Sequence, residues 1–471
     1  MPFNTLAYAR FFAVVFVLAW LLAGRGRLRT VLLLVSSYVF YAHWKYEFVA
    51  LIWASSTVDY LLGHAIARAE DPKLRKQWLI VTVVSNLGLL GYFKYYNFGI
   101  ESARALLTSL GYEPPPMTLE VVLPVGISFF TFESMSYVID VYRKDIEPHP
   151  SYLEYLTFVA FFPHLVAGPI VRPRDLLPQF AAPAKFSPEL GSTGLFLIAV
   201  GLLKKVALAD YLALNLVDRV FQAPAQYSAL ECYAAVVGYS LQIYGDFSGY
   251  TDMAIGSALL LGIRFPLNFA APYTAGDLID FWRRWHISLS TWLRDYLYVP
   301  LGGNRRGPLR TYLNLMITML LGGLWHGASW TFVVWGGLHG LGLALNRWLR
   351  DRFGLDPNRR RWSRVLGVVV TFHFVSAAWI FFRSADFSAA SLFYERLATF
   401  TTYHPNLDPR VVGVLLVGLA CHFVPHAQFE RAKLAFAGLR APVQAVLLFA
   451  ALLVVRSFAT ADSVPFVYFQ F

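Results

Sequence analysis

A chain of 471 residues that is 57% hydrophobic and 15% charged, with a mean hydropathy of +0.50, carries far less charge than the roughly 25% of a water-soluble globular protein and reads as a membrane protein. Its 39 Phe, 26 Tyr and 13 Trp exclude disorder, and 33 Gly and 25 Pro without a period exclude a collagenous or low-complexity chain. The formal charge of +11 fits cytoplasmic loops facing anionic lipid; the basic residues are scattered through loops, without the contiguous stripe that nucleic acid requires.

Apolar runs approaching the roughly 20 residues that cross hydrocarbon as a helix lie near 6–24, 46–66, 78–98, 121–141 and 151–170. Others follow near 191–209, 228–262, 310–346, 365–383, 411–426 and 441–459, with a shorter, tilted or half span near 30–44. The expected architecture is all-α and polytopic, one membrane domain over 1–471 with roughly eleven membrane-embedded segments. The stretch Phe11 to Gly24 lacks a basic start and a small-residue cleavage site, so it is expected to stay as the first span.

Short loops rich in Arg and Lys resist translocation and so set orientation. Arg25, Arg27 and Arg29, then Arg68, Lys73, Arg75 and Lys76, mark cytoplasmic turns, while the intervening connection carries only Lys45. Later, Arg347, Arg350, Arg352, Arg359, Arg360, Arg361 and Arg364 form one such loop, and Arg431, Lys433 and Arg440 another. Both termini, including the stretch Phe466 to Phe471, are therefore expected outside.

Segment 263–309 is too polar to span. Asp280, Phe281, Trp282, Trp285, Ile287, Leu289, Trp292 and Leu293, with Arg283, Arg284 and Arg294 among them, predict an aromatic amphipathic helix at the cytoplasmic interface. The run 310–346 must then enter and leave the membrane in 37 residues, as two short spans or a re-entrant pair.

Cys232 and Cys421 sit in apolar stretches without metal-ligand or redox spacing, and are expected as buried small hydrophobes. Polar groups inside spans are costly and are the default functional candidates. The densest such stretch runs from Gly322 through Trp325, His326 and Gly327 to Trp335, His339 and Gly340, with glycines suited to close backbone approach. A histidine there can take a proton from a hydroxyl near neutral pH. Asp246 and Asp252 flank a glycine-rich turn in an apolar region, where pairing with Arg283 or Arg284 is expected. No nucleophile elbow, Walker A loop or zinc-peptidase helix is present in the sequence, and no metal site is expected.

The run Phe281-Trp282-Arg283-Arg284-Trp285-His286-Ile287-Ser288-Leu289-Ser290, the run Leu324-Trp325-His326-Gly327 and the stretch Gly245-Asp246-Phe247-Ser248-Gly249-Tyr250 together resemble the membrane-bound O-acyltransferase (MBOAT) family, in its bacterial branch that O-acetylates polysaccharides. Supporting matches are Gly91 to Phe98, Leu123 to Phe132 and Phe162 to Arg172, in the family's order and over nearly the whole chain. The resemblance implies His326 as general base on an acceptor hydroxyl, and His286 as a residue that orients the acyl donor or stabilises the developing oxyanion. Arg172, Trp285, Trp325, His339 and Asp246 become candidate substrate- or donor-binding residues, Arg172 through bidentate bonding to a carboxylate or phosphate.

The activity so implied is transfer of an acyl group, acetyl above all, from cytoplasmic acetyl-CoA or another thioester across the bacterial inner membrane, with no permanently bound cofactor. The acceptor is an exopolysaccharide or cell-wall polymer, reached directly or through a separate periplasmic or extracellular acyltransferase. Acylation of a lipid or secreted protein is the alternative within the family. A proton-coupled transporter, the alternative outside it, would need internal repeats and paired charges on facing spans, and neither is visible in the sequence.

Overall fold

The computed structural model describes residues 1–115, 117–357, 360–459 and 464–467. Arg359 of the basic loop and residues 468–471 of the terminal stretch lie outside the described residues. Among those described, every regular element is helical, and the chain divides into two compact units, Met1–Gly191 with Ser257–Phe265, and Ser192–Gly256 with Pro266–Phe471.

In the first unit α1 (Leu6–Leu21), α2 (Gly26–Ala42), α3 (Glu47–Arg68) and α4 (Pro72–Leu90) follow through short turns. α4 passes through a π-helical turn at Gly91–Tyr95 into α5 (Tyr96–Ser109), and α6 (Ile127–Arg143), α7 (Tyr152–Ala160), α8 (Phe162–Leu165) and α9 (Pro173–Ala181) follow. The run 151–170 is therefore not a continuous span: the chain turns at Phe161, and a side chain at Gly168 would lie 2.4 Å from the His164 Cα. Asp59 of α3, fully buried, accepts two 2.9 Å bonds from Asn86 of α4, which satisfies a carboxylate that would be expensive alone in hydrocarbon.

α10 (Pro188–Leu202) leads into the second unit and winds on as π-helical backbone over Leu203–Asp210 and Ala213–Val217 before α11 (Asp218–Gln222). α12 (Ala229–Leu260) lays Gly245, Gly249 and Gly256 along this strip; a Cβ at Gly249 would sit 2.7 Å from the Gly201 carbonyl, and one at Gly256 2.5 Å from that of Gly194. The glycine-rich turn expected between Asp246 and Asp252 is thus continuous helix, because small residues spaced three or four apart let two helical backbones touch.

α13 (Leu278–Trp282) and α14 (Ile287–Leu293) precede α15 (Pro308–His326), α16 (Trp330–Phe353), α17 (Arg361–Arg383), α18 (Phe387–Leu397), α19 (Pro409–His422), α20 (His426–Ala437) and α21 (Ala441–Phe458). An apolar core in this unit joins Leu212 and Leu216 to Cys232, Val236 and Leu241 of α12, Ile380 of α17, Phe393 of α18 and Leu415 of α19. Cys232 is buried as expected, whereas Cys421 is exposed on α19.

By length and composition, α3, α4 with α5, α17 and α21 can each cross a membrane, and α19 with α20, bent by 91°, makes a fifth. This is fewer than the roughly eleven segments expected from hydropathy. The remaining apolar stretches are divided by turns, as in 151–170, shortened, as in the 16-residue α1, or carry charges, as at Lys204 and Lys205. Large apolar side chains face outward all along the spanning helices, Val446 at 67% and Phe449 at 62% exposure among them, a surface suited to lipid and not to water.

Candidate active site

α15 and α16 form a helical hairpin. A side chain at Gly323 would fall 2.3 Å from the Phe332 carbonyl, and one at Gly336 2.3 Å from that of Met319, so only glycine permits this contact. Ser329 caps α16 by accepting from the Thr331 N–H at 3.3 Å. The result delivers His326 at the last position of α15 and sets Trp335 and His339 one turn apart on α16.

The amphipathic helix expected around 280–293 is instead two short helices separated at His286, whose φ of +42° lies in the left-handed region. For a non-glycine residue that conformation costs about 1–2 kcal/mol, and such strain persists where neighbours over-determine it. The neighbours here are on the irregular stretch of chain before α13: the Ile287 N–H donates to the Asn268 carbonyl (2.9 Å), and the Ala270 N–H to that of Arg284 (3.0 Å). One face of the segment is buried, with Phe281, Trp285 and His286 completely so, while Arg283 and Arg294 are exposed.

Asn268 also fixes the His286 ring. Its Oδ1 accepts from the Ser288 N–H (3.1 Å) and Ser288 Oγ–H (2.8 Å) and lies 3.2 Å from His286 Nδ1. An oxygen already chosen as acceptor by an amide requires the proton on His286 Nδ1, leaving the lone pair on Nε2. Burial pushes this imidazole down to about 3, so it is neutral at physiological pH.

Rings connect the three histidines. His286 lies 6.0 Å from Trp325, Trp325 5.0 Å from His326, His326 5.1 Å from Trp335, and Trp335 4.8 Å from His339. Phe382 of α17 closes on His326 at 5.4 Å, and Trp379 packs on Trp285 at 5.2 Å and on Trp335 at 5.5 Å. The Trp282 Nε1–H donates to His339 Nδ1 at 3.3 Å, which puts the His339 proton on Nε2. That Nε2–H and the indole N–H groups of Trp285 and Trp335 are buried without an acceptor among the described residues. Buried N–H groups nearly always find a partner, so three in one cage make it suited to holding an incoming oxygen.

Five of the expected site residues, His286, His326, His339, Trp285 and Trp325, therefore share one cage. Asp246 lies next to it in sequence and space, because the ring of Phe247 meets His286 edge-on at 4.6 Å. Asp246 and Asp252 do not pair with Arg283 or Arg284. Asp246 pairs with Lys205 (2.8 Å), which also holds Asp210 (2.7 Å), and Asp252 pairs with Lys204 (2.7 Å); Arg284 instead takes Asp280 at 2.9 Å. The π-helical winding of 203–210 brings both lysines toward α12, so charges do pair on facing segments, contrary to the reading of the sequence. The Val467 N–H donates to Asp246 at 2.7 Å, and Phe466 stacks on Tyr250 at 4.5 Å.

Arg172 belongs to the first unit and is buried there. The preceding Val171 N–H donates to Glu133 Oε1 (3.1 Å), which also lies 2.9 Å from His164 Nδ1, and neither Glu133 nor His164 is exposed. Sequence reasoning missed Lys204, Lys205, Glu133 and Asn268. Two lysines interrupting the apolar run 191–209 were a usable signal; Glu133 stands one residue beyond a quoted motif, and nothing in the sequence marks Asn268.

The family model for MBOAT, the membrane-bound O-acyltransferase family, matches residues 127–383. The chain is 44% identical over 401 residues, 85% of its length and 81% of the relative's, to the probable alginate O-acetylase AlgI of Pseudomonas putida. It is 37% identical to the peptidoglycan O-acetyltransferase of Helicobacter pylori, covering 76% of this chain and 71% of that one, and 30% identical to the teichoic acid D-alanyltransferase of Bacillus subtilis, covering 58% and 71%. The chain belongs to the membrane-bound O-acyltransferase family and is an O-acyltransferase.

Proposed function

We propose that this protein O-acetylates a cell-envelope or secreted polysaccharide, with His326 as the general base. The observation that carries the reading is the cage itself: three histidines among stacked indoles, with the N–H groups of Trp285, Trp335 and His339 unpaired among the described residues. The acceptor hydroxyl gives its proton to the His326 imidazole as its oxygen attacks the thioester carbonyl. The C–S bond then breaks, and the thiolate leaves with the proton returned from His326. The unpaired N–H donors suit the oxygen on which negative charge develops. Because the His286 proton is committed to Asn268, its Nε2 can only accept, which favours its orienting role over oxyanion donation.

The donor in this reading is acetyl-CoA or another acyl thioester on the cytoplasmic side. The acceptor is the polymer or a separate periplasmic or extracellular acyltransferase, and Arg172 holds an anionic group of donor or acceptor. The same reading takes the chain as one domain of the bacterial inner membrane, with roughly eleven embedded segments, segment 263–309 toward the cytoplasm and both termini outside. Support for the polymer comes from the alginate and peptidoglycan acetylation named for its relatives.

The test is the O-acetyl ester content of surface polysaccharide in a deletion strain complemented with wild type, His326→Ala or His286→Ala at equal membrane abundance. Wild type restores the esters and His326→Ala does not. Full restoration by His326→Ala refutes the base assignment, and no effect of wild type moves the acceptor to lipid or protein.

A further inference from the structure

The facing ends of α15 and α16 enclose a cleft of about 460 Å³ lined by Asn304, Tyr312, Arg347, Trp348, Asp351 and Arg352. The loop that forms one rim, Gly302 to Gly307, takes positive φ at Gly302 (+113°), Gly303 (+55°) and Gly307 (+83°). It is pinned from beneath by the fully buried Asn314, whose Nδ2 donates to the Gly303 carbonyl at 2.9 Å. Arg305 and Arg306 are exposed on this loop, and α15 then begins at Pro308 with no side chain capping its first N–H groups. Two arginines, Arg347 and Arg352, thus line the cleft against a single lining carboxylate, Asp351, which lies 3.5 Å from Arg347, and two more stand exposed on the loop beside it. Anions are favoured both by that imbalance and by an uncapped helix start.

What surrounds the cleft selects among anions. Along α16, Leu341, Leu345, Trp348 and Arg352 are spaced by four, three and four residues and so share one helix face, and all four are exposed. This stripe grades from aliphatic to indole to guanidinium, the order met on passing from hydrocarbon through the interface to the headgroup layer. Leu309, at 81% exposure, and Leu313 offer a second aliphatic strip on α15. A soluble phosphate would use the arginines and leave both strips idle. We propose that this cleft binds the headgroup phosphate of an anionic phospholipid, with Arg347 and Arg352 on the phosphate, Trp348 at the glycerol level and the acyl chains along Leu345 and Leu341.

The full-length protein, purified in detergent and titrated with phosphatidylglycerol or phosphatidylcholine, is read by native mass spectrometry. Phosphatidylglycerol is retained in preference to phosphatidylcholine, and Arg347→Gln/Arg352→Gln weakens it about thirtyfold, from roughly fivefold per arginine near a headgroup. Asp351→Asn, which frees Arg347, tightens it. Both changes lie on the exposed rim, so the gain in one variant and the loss in the other separate binding from misfolding. Equal retention by wild type and the double variant overturns the proposal. So does displacement of the lipid by inorganic phosphate or coenzyme A at equal concentration, which would make the cleft a site for soluble anions.

Discussion

Asn268→Ala probes the claim that the His286 tautomer is set from outside the cage. The substitution removes the one oxygen that accepts from Ser288 N–H and Oγ–H and from His286 Nδ1–H, while the Ile287 N–H to Asn268 carbonyl bond survives because it uses the backbone. The Ser288 hydroxyl can rotate, so the Ser288 N–H loses its acceptor and the His286 Nδ1–H keeps only the Ser288 Oγ at 3.4 Å, at up to about 1–3 kcal/mol each. One of these penalties falls on the Nδ1–H tautomer alone and shifts the tautomer ratio by about 5- to 150-fold. Turnover measured as ester formed per unit of membrane protein should therefore fall by roughly ten- to a hundredfold, mainly in kcat. Asn268→Asp, which keeps an acceptor at the same place, should retain much more activity than Asn268→Ala. Full turnover in Asn268→Ala, with the protein present at wild-type abundance, would refute the reasoning, since neither the tautomer nor the left-handed turn would then depend on this side chain.

Gly336→Val should abolish accumulation of folded protein, because its Cβ meets the Met319 carbonyl at 2.3 Å; Gly337→Ala, whose nearest neighbour is a Leu320 methyl at 3.5 Å, should be tolerated. Size-exclusion profiles of the two proteins compare them directly, and equal profiles would count against the hairpin contact. Lys205→Met strands Asp210 and Asp246 and should destabilise by about 3–5 kcal/mol; Lys205→Met/Asp246→Asn should recover part of the loss in a thermal melt, and additive effects would show that the pair is not coupled. Glu133→Leu, which orphans the Val171 N–H, should cost about 1–3 kcal/mol of stability, whereas Glu133→Gln keeps an acceptor and should cost less; equal melts for the two would remove Glu133 from the support of Arg172. His286 binds a proton only near pH 3 when folded but near its ordinary 6.5 when unfolded. Its contribution to stability is therefore complete above pH 6.5 and falls as pH drops toward 3, so the melting temperature of His286→Gln should decline less steeply between pH 7 and 5 than that of wild type, and parallel declines would contradict its neutral burial.

Much of this architecture can be read from side-chain character, and the limits follow from what the pattern encodes. Glycine density around His326 foretells a close helical hairpin because the steric demand is local to each glycine. Hydropathy counts more segments than helix length and composition do, because it averages over windows that the chain divides: Phe161 turns the run 151–170, and Lys204 and Lys205 sit inside another apolar run on a π-helical ridge. The aspartates of α12 were matched to the wrong cations because both arginines are nearer in motif than the lysines are in sequence, and only the wider winding of 203–210 brings Lys204 and Lys205 to them. Asn268 is invisible for another reason. Its function depends on a left-handed residue eighteen positions later, and no periodicity announces a side chain whose task is to accept hydrogen bonds from a strained turn.

The wall of the cage carries a consequence for the chemistry. The rings of Trp325, Trp335 and Phe382 stand around His326, and the indole N–H of Trp335 is a donor with no acceptor among the described residues. Such a ring-rich lining offers water few partners, and its N–H donors suit a carbonyl oxygen, which needs donors alone. An acyl transferase must keep its thioester from hydrolysis while offering it to a hydroxyl. A ring-lined cage whose donors have no acceptor among the described residues serves both ends, because the same low polarity that disfavours water strengthens each N–H contact to a developing oxyanion. Replacing Trp335 with Phe would remove one donor and keep the packing with Trp379 and Phe382. The expected outcome is a loss of transfer of about a hundredfold with little change in stability or in the ratio of hydrolysis to transfer, whereas Trp335→Ala, which opens the wall, should raise that ratio. Equal ratios of hydrolysis to transfer in the two variants would mean that the rings do not exclude water and that the unpaired donors have another use.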